Sequence, residues 1–94
     1  FIKQANYKQF MAYKQLTKPI REKTQRKETI ETKVLNLYEA SNPSLYYVYE
    51  VLGDYYAAIQ QIDTAITYWQ KALTMPIPKQ AEKVRIQQKI NKNQ

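Results

Sequence analysis

Proline and glycine usage constrains this chain more than any other feature. Four prolines, at positions 19, 43, 76 and 78, and a single glycine, Gly53, punctuate 94 residues. Proline lacks a backbone donor and clashes with the preceding turn, so each one reads as a helix start or the end of the previous helix. No hairpin dipeptide occurs, and no Val/Ile/Thr run alternates over six residues, which argues against a sheet. A lone glycine also leaves no glycine-rich loop to cradle a phosphate.

The segments between these marks carry helical spacing. Ile2, Ala5, Phe10, Tyr13 and Leu16 form a loose stripe over 2–16. In 20–41 a polar run from Arg21 to Thr29 precedes Ile30, Val34, Leu37 and Tyr38, spaced 0, 4, 7, 8 as on an amphipathic helix. Asn42-Pro43-Ser44 then breaks the chain and offers Asn42 or Ser44 as an N-cap. Residues 45–59 are apolar and aromatic nearly all round, which predicts the most buried helix. Asp63 can cap a further helix running through Thr74. Pro78 can open a last one to about Asn91, whose sparse Ala81, Val84, Ile86 and Ile90 suit a terminal helix with one wet face. The expected fold is all-α, an array of antiparallel helices.

Chemistry is excluded more firmly than it is indicated. The chain has no Cys and no His, so thiolate sites, disulfides and the commonest general base are absent. Ser41 and Ser44 have no His to activate them, and Glu28, Glu31 and Glu39 lie on a solvated stretch beside lysines. The expectation is a non-enzyme with no catalytic residues, no metal and no cofactor. No window approaches 18 apolar residues, so no membrane span is expected. The first residues lack a signal-peptide pattern, and with no initial Met the chain reads as a mature form or an excised piece. The compartment is left open between cytoplasmic and exported.

Charge is uneven. Residues 1–44 carry +5, residues 45–78 carry −2 and residues 79–94 carry +4, giving the net +7. Interleaved Tyr and Lys in 1–18 could stack bases and meet phosphates. No RNA-binding motif accompanies them, and the lysines are dispersed among Gln, Thr and Glu, so a solvated surface is preferred over nucleic acid.

One segment carries a signature. Tyr49, Leu52-Gly53 and Tyr56 are followed by Ala65, Trp69 and Ala72. This spacing resembles the tetratricopeptide repeat, with an aromatic, Leu-Gly and an aromatic on its first helix and Ala, an aromatic and Ala on its second. Tyr49, Leu52, Gly53 and Tyr56 fall on one helical face, and Gly53 and Ala65 lack bulk where two helices would cross. Gln60 stands where the repeat has its usual turn glycine, and Ile77 stands at the closing proline's place. Pro43 fits the close of a preceding repeat, but Lys18-Pro19 and Glu31 break the pattern upstream. One good repeat at 46–79 therefore has a degenerate half-repeat before it. Since about three repeats are usually needed to bury a core, flanking helices, a second copy or a longer protein must cover it.

The resemblance implies a protein-interaction or scaffolding module that binds a helix or extended peptide on its concave face. On the first helix that face presents Tyr47, Glu50, Asp54 and Ala58. Glu50 and Asp54 would repel a C-terminal carboxylate, so a basic or neutral partner is expected, with Tyr47 as aromatic anchor. The arm 1–18 offers Lys3, Lys8, Lys14 and Lys18 with Phe1, Tyr7, Phe10 and Tyr13 and no acid. It is expected to pack on the acidic repeat, in cis or across a homodimer. Residues 10–21, Phe10-Met11-Ala12-Tyr13-Lys14-Gln15-Leu16-Thr17-Lys18-Pro19-Ile20-Arg21, are also similar to C-terminal helical tails of some bacterial penicillin-acyltransferase-like hydrolases, which implies an appendage to an enzyme domain absent here. The organisation read from sequence is a basic aromatic arm or helix at 1–18, a half-repeat helix at 19–43, a helical hairpin at 44–79 and a capping helix at 80–94.

Overall fold

The computed structural model describes residues 4–94, with side chains described from Met11 onward. Five helices follow one another: α1 (Gln4–Gln25), α2 (Thr32–Ser41), α3 (Tyr46–Ala58), α4 (Ile62–Leu73) and α5 (Gln80–Lys92), with no strand among the described residues. The all-α expectation holds. The Cα extents of 41 × 30 × 17 Å give a slab about two helices thick. Helix α3 sits at its centre. It packs against α4, α1 and α2 and buries Val48, Tyr49, Val51, Leu52 and Tyr55 among its eight buried residues.

The first helix departs from the sequence reading. Helix α1 runs through Pro19 without ending there, so the expected boundary between 1–18 and 19–43 falls inside it. Pro19 lies on the exposed side, while Tyr13, Leu16, Thr17 and Ile20 continue one inward stripe across it. Burial of Ile20 to 2% exposure and the packing of its neighbours offset the one backbone bond that the proline removes. Tyr13 stacks on Tyr38 of α2 at 5.8 Å, and Thr17 Oγ1 and the Tyr38 hydroxyl lie 2.9 Å apart. The described part of the arm thus packs in cis on α2, and α1 as a whole also contacts α3. Phe1, Lys3, Tyr7, Lys8 and Phe10 lie outside the residues whose side chains are described.

The second helix is shorter than expected, and its register differs. It begins at Thr32, and Leu35 and Tyr38 face inward while Leu37 is 54% exposed. Neither Asn42, Ser44 nor Asp63 makes a capping bond. Leu45 and Gln61 occupy the N-cap positions of α3 and α4, with Asp63 in the first turn of α4. Two side chains pin the connections instead. The Tyr49 hydroxyl donates to the Pro43 carbonyl at 2.6 Å, and the Ile30 amide donates to the Tyr55 hydroxyl at 2.9 Å.

Helices α1 and α3 end alike. At the end of α3, the Gln61 amide donates to the Tyr56 carbonyl and the Gln60 amide to the Ala57 carbonyl. At the end of α1, Glu28 and Lys27 donate to Lys23 and Thr24 in the same way. This is the Schellman arrangement, in which the residue just past the helix adopts a left-handed conformation that favours glycine. Here Gln60 (φ 69°) and Lys27 (φ 59°) take it. The turn at Gln60 therefore has a glycine-type shape without a glycine. Gln60→Gly is expected to relieve the side-chain clash and stabilise the fold by about 1 kcal/mol, raising Tm by about 4–8 °C in a chain of this size. A calorimetric scan that finds no increase contradicts this account of the turn.

Candidate functional site

The site is built on the crossing of α3 and α4. Six of the seven signature positions are buried there, Tyr49, Leu52, Gly53, Ala65, Trp69 and Ala72, while Tyr56 is half-buried. Gly53 lies directly under the Trp69 indole, and an added Cβ would collide with Cδ1 and Nε1 of that ring. The glycine is thus required by close approach, since its φ is not positive. Trp69 Nε1 donates to Asp54 Oδ1 at 3.1 Å, which fixes the carboxylate next to the crossing. Elsewhere along the same hairpin, Tyr68 lies between Tyr49 and Tyr56, near-parallel to both, with ring centroids 6.3 and 5.4 Å away. Lys71 Nζ sits 4.7 Å from the Tyr49 ring centroid and 3.3 Å from Glu39 of α2.

The residues expected to face a partner have a different neighbourhood. Glu50 is 2% exposed and is held by the terminal helix α5. Arg85 Nε and Nη2 donate to Glu50 Oε2 and Oε1 at 2.8 and 2.7 Å, a two-point contact, and Lys89 Nζ adds a bond to Oε2 at 2.8 Å. Lys89 also reaches both oxygens of Asp54, at 2.9 and 3.0 Å. Tyr47 is half-buried and within electrostatic range of Tyr13, Tyr38 and Arg85, and Ala58 is half-buried at the last position of α3. So α5 covers the carboxylates of this face. Acids four apart on α3 meet bases four apart on α5, while Ile86 and Ile90 beside them bury completely or nearly so. Sequence reasoning assigned the complementary basic segment to 1–18 and missed Arg85 and Lys89. The signal was present, as an i, i+4 basic pair next to an i, i+4 apolar pair.

The two carboxylates respond oppositely to this setting. Burial pushes the Glu50 carboxyl up, but the hydrogen bonds and charges of Arg85 and Lys89 outweigh it and hold the group below its ordinary range. For Asp54, burial wins over Lys89, and the carboxyl titrates above its ordinary range. Glu50 therefore contributes stability that is fully present above the ordinary glutamate pKa and is lost as pH falls through its lowered value. Asp54 works in the other direction, favouring the fold as it gains a proton.

Among the described residues no group of three or more His, Cys, Asp or Glu could hold a metal ion, and no helix is long and apolar enough to cross a membrane. Compared with protein-family models, with curated proteins and with solved structures, the chain finds no match in any of the three.

Two outcomes follow from this geometry. Gly53→Ala should destabilise despite alanine's helix propensity advantage of about 1 kcal/mol, because overpacking against the indole costs about 1–3 kcal/mol and breaks the Trp69–Asp54 bond. Denaturant unfolding followed by Trp69 fluorescence reads this, and an unchanged midpoint contradicts it. Glu50→Gln should cost about 3 kcal/mol at pH 7, the low end for breaking a buried pair, since both cations can reach water. The difference from wild type should be full above about pH 4.5 and shrink below it. A difference that grows on acidification would reverse the assignment.

Proposed function

We propose that the chain is a non-catalytic protein-interaction or scaffolding module of tetratricopeptide type, in which an amphipathic basic helix packs along α4 and is held by the acids of α3. The observation that carries this reading is the docking of α5. Glu50 and Asp54 engage Arg85 and Lys89 while Ile86 and Ile90 bury beside them. Helix-in-groove recognition uses the same elements, apolar anchors at helical spacing with charges that set register. The Gly53–Trp69 crossing supports the kinship to the repeat, since close approach at Leu-Gly is what that pattern demands.

On this reading α5 is the resident ligand of its own module. A partner segment carrying two bases four residues apart beside two apolar anchors is its competitor. Tyr47, half-buried at the edge, is the aromatic contact, and Ala58 leaves room at the far end. A C-terminal carboxylate has no counterpart at Glu50 or Asp54.

Because α5 is tethered, it competes at an effective concentration of about millimolar, so a free peptide binds the wild-type chain weakly. The test is a labelled peptide of residues 79–94 titrated into the full chain carrying Arg85→Glu and Lys89→Glu. Saturable binding by anisotropy, weakened at least tenfold by adding Glu50→Gln and Asp54→Asn, is expected. Circular dichroism establishes that α1–α4 remain folded. A folded variant that does not bind the peptide contradicts the proposal.

A further inference from the structure

A second surface has the opposite charge. Along α1 the residues Lys14, Thr17, Lys18, Arg21, Glu22 and Gln25 line one shallow trough of about 520 Å³. They recur at helical spacing and form a single stripe. Its floor is rigid, because the Thr17 hydroxyl is committed to the Tyr13 carbonyl at 2.7 Å and to the Tyr38 hydroxyl at 2.9 Å. Lys18 and Arg21 are exposed, and neither has a carboxylate within ion-pair distance among the described residues. Arg21 and Gln25 also line the smaller cleft of about 130 Å³ between α1 and α3, with Thr24, Val51 and Asp54.

The acids of α3 do not cancel this charge, and Glu22 is one acid against the two exposed cations Lys18 and Arg21. Asp54 shares Lys89, and Glu50 is enclosed by Arg85 and Lys89. The α3 acids are thus spent on α5, and Lys18 and Arg21 keep their charge toward solvent. We infer that the Lys14–Lys18–Arg21 stripe of α1 is a docking surface for an acidic helical segment of a partner protein, with carboxylates at i, i+4 spacing facing Lys18 and Arg21. From position 14 to position 21 the stripe is about 10 Å long, matching two to three carboxylates at successive turns.

A protein segment fits better than a nucleic acid. Glu22 lies within the stripe, so a uniformly anionic backbone meets repulsion there. An acidic helix presents its carboxylates on one face and can place a neutral or basic residue opposite Glu22. The surface adjoins the α5 contact of the proposed module at Asp54 but does not depend on that contact being exchangeable.

The test uses the full chain and two probes, a labelled helical peptide with Glu at i, i+4 and i+7 and a single-stranded oligonucleotide of equal net charge. Anisotropy at low salt should show saturable binding of the peptide, weakened about tenfold by Lys18→Glu with Arg21→Glu and also weakened by added salt. Both side chains are exposed, so the variant should keep the wild-type Tm. The same peptide with Lys in place of Glu should not bind. Absence of saturable peptide binding, binding insensitive to the double substitution, or tighter binding of the oligonucleotide through the same two residues would each overturn the inference.

Discussion

One buried carboxylate governs how this chain closes on itself. Glu50 sits at 2% exposure on the central helix and receives three hydrogen bonds from α5. A charge in that position is costly unless it is paired, so wherever α3 is buried, a helix carrying cations must lie beside it. The energy of docking comes mainly from elsewhere. Full burial of Ile86 and Ile90 contributes about 1.5–3 kcal/mol each, whereas the ion pairs mostly offset their own desolvation. The carboxylates set register and identity, and the isoleucines supply affinity.

That division explains why the acidic middle of the sequence and its basic ends belong to one unit. The acids of residues 45–78 find their complement in the C-terminal flank, whereas the N-terminal flank joins by packing. Helix α5 satisfies Glu50 and Asp54 through Arg85 and Lys89, while α1 packs through Tyr13, Thr17 and Ile20 against α2 and α3. A single repeat-like hairpin cannot bury its faces alone. Here α1 and α2 cover one side and α5 the other.

Much of this was legible in the sequence. The Leu52-Gly53 and Trp69 spacing located the tightest contact, and the continuous apolarity of 45–59 located the central helix. Of the sparse apolar residues read into the capping helix, Ile86 and Ile90 bury, while Ala81 and Val84 (42% exposed) face outward. What was not legible came from tertiary competition. Pro19 is ordinarily a helix breaker, yet the inward stripe Tyr13, Leu16, Ile20 carries α1 past it once Tyr38 and Ile20 are buried. Leu37 matches a helical period but faces outward, because the true register is set by Leu35 and Tyr38. The face of Tyr47, Glu50, Asp54 and Ala58 was drawn as a partner surface because periodicity identifies a face but not what covers it. Only the juxtaposition of α3 and α5 pairs two i, i+4 patterns 35 residues apart in sequence.

The central claim is that the Glu50 pairing sets the seat of α5, which packs along α4, on an α1–α4 body that keeps its own core. Hydrogen exchange measured residue by residue between pH 7 and pH 3, corrected for the intrinsic rate, tests this most directly. The account predicts that amides of α5 around Ile86 and Ile90 lose protection as Glu50 gains its proton, while those of α3 around Val48 and Leu52 stay protected. Loss of protection in α3 and α5 together, at one pH, would contradict it.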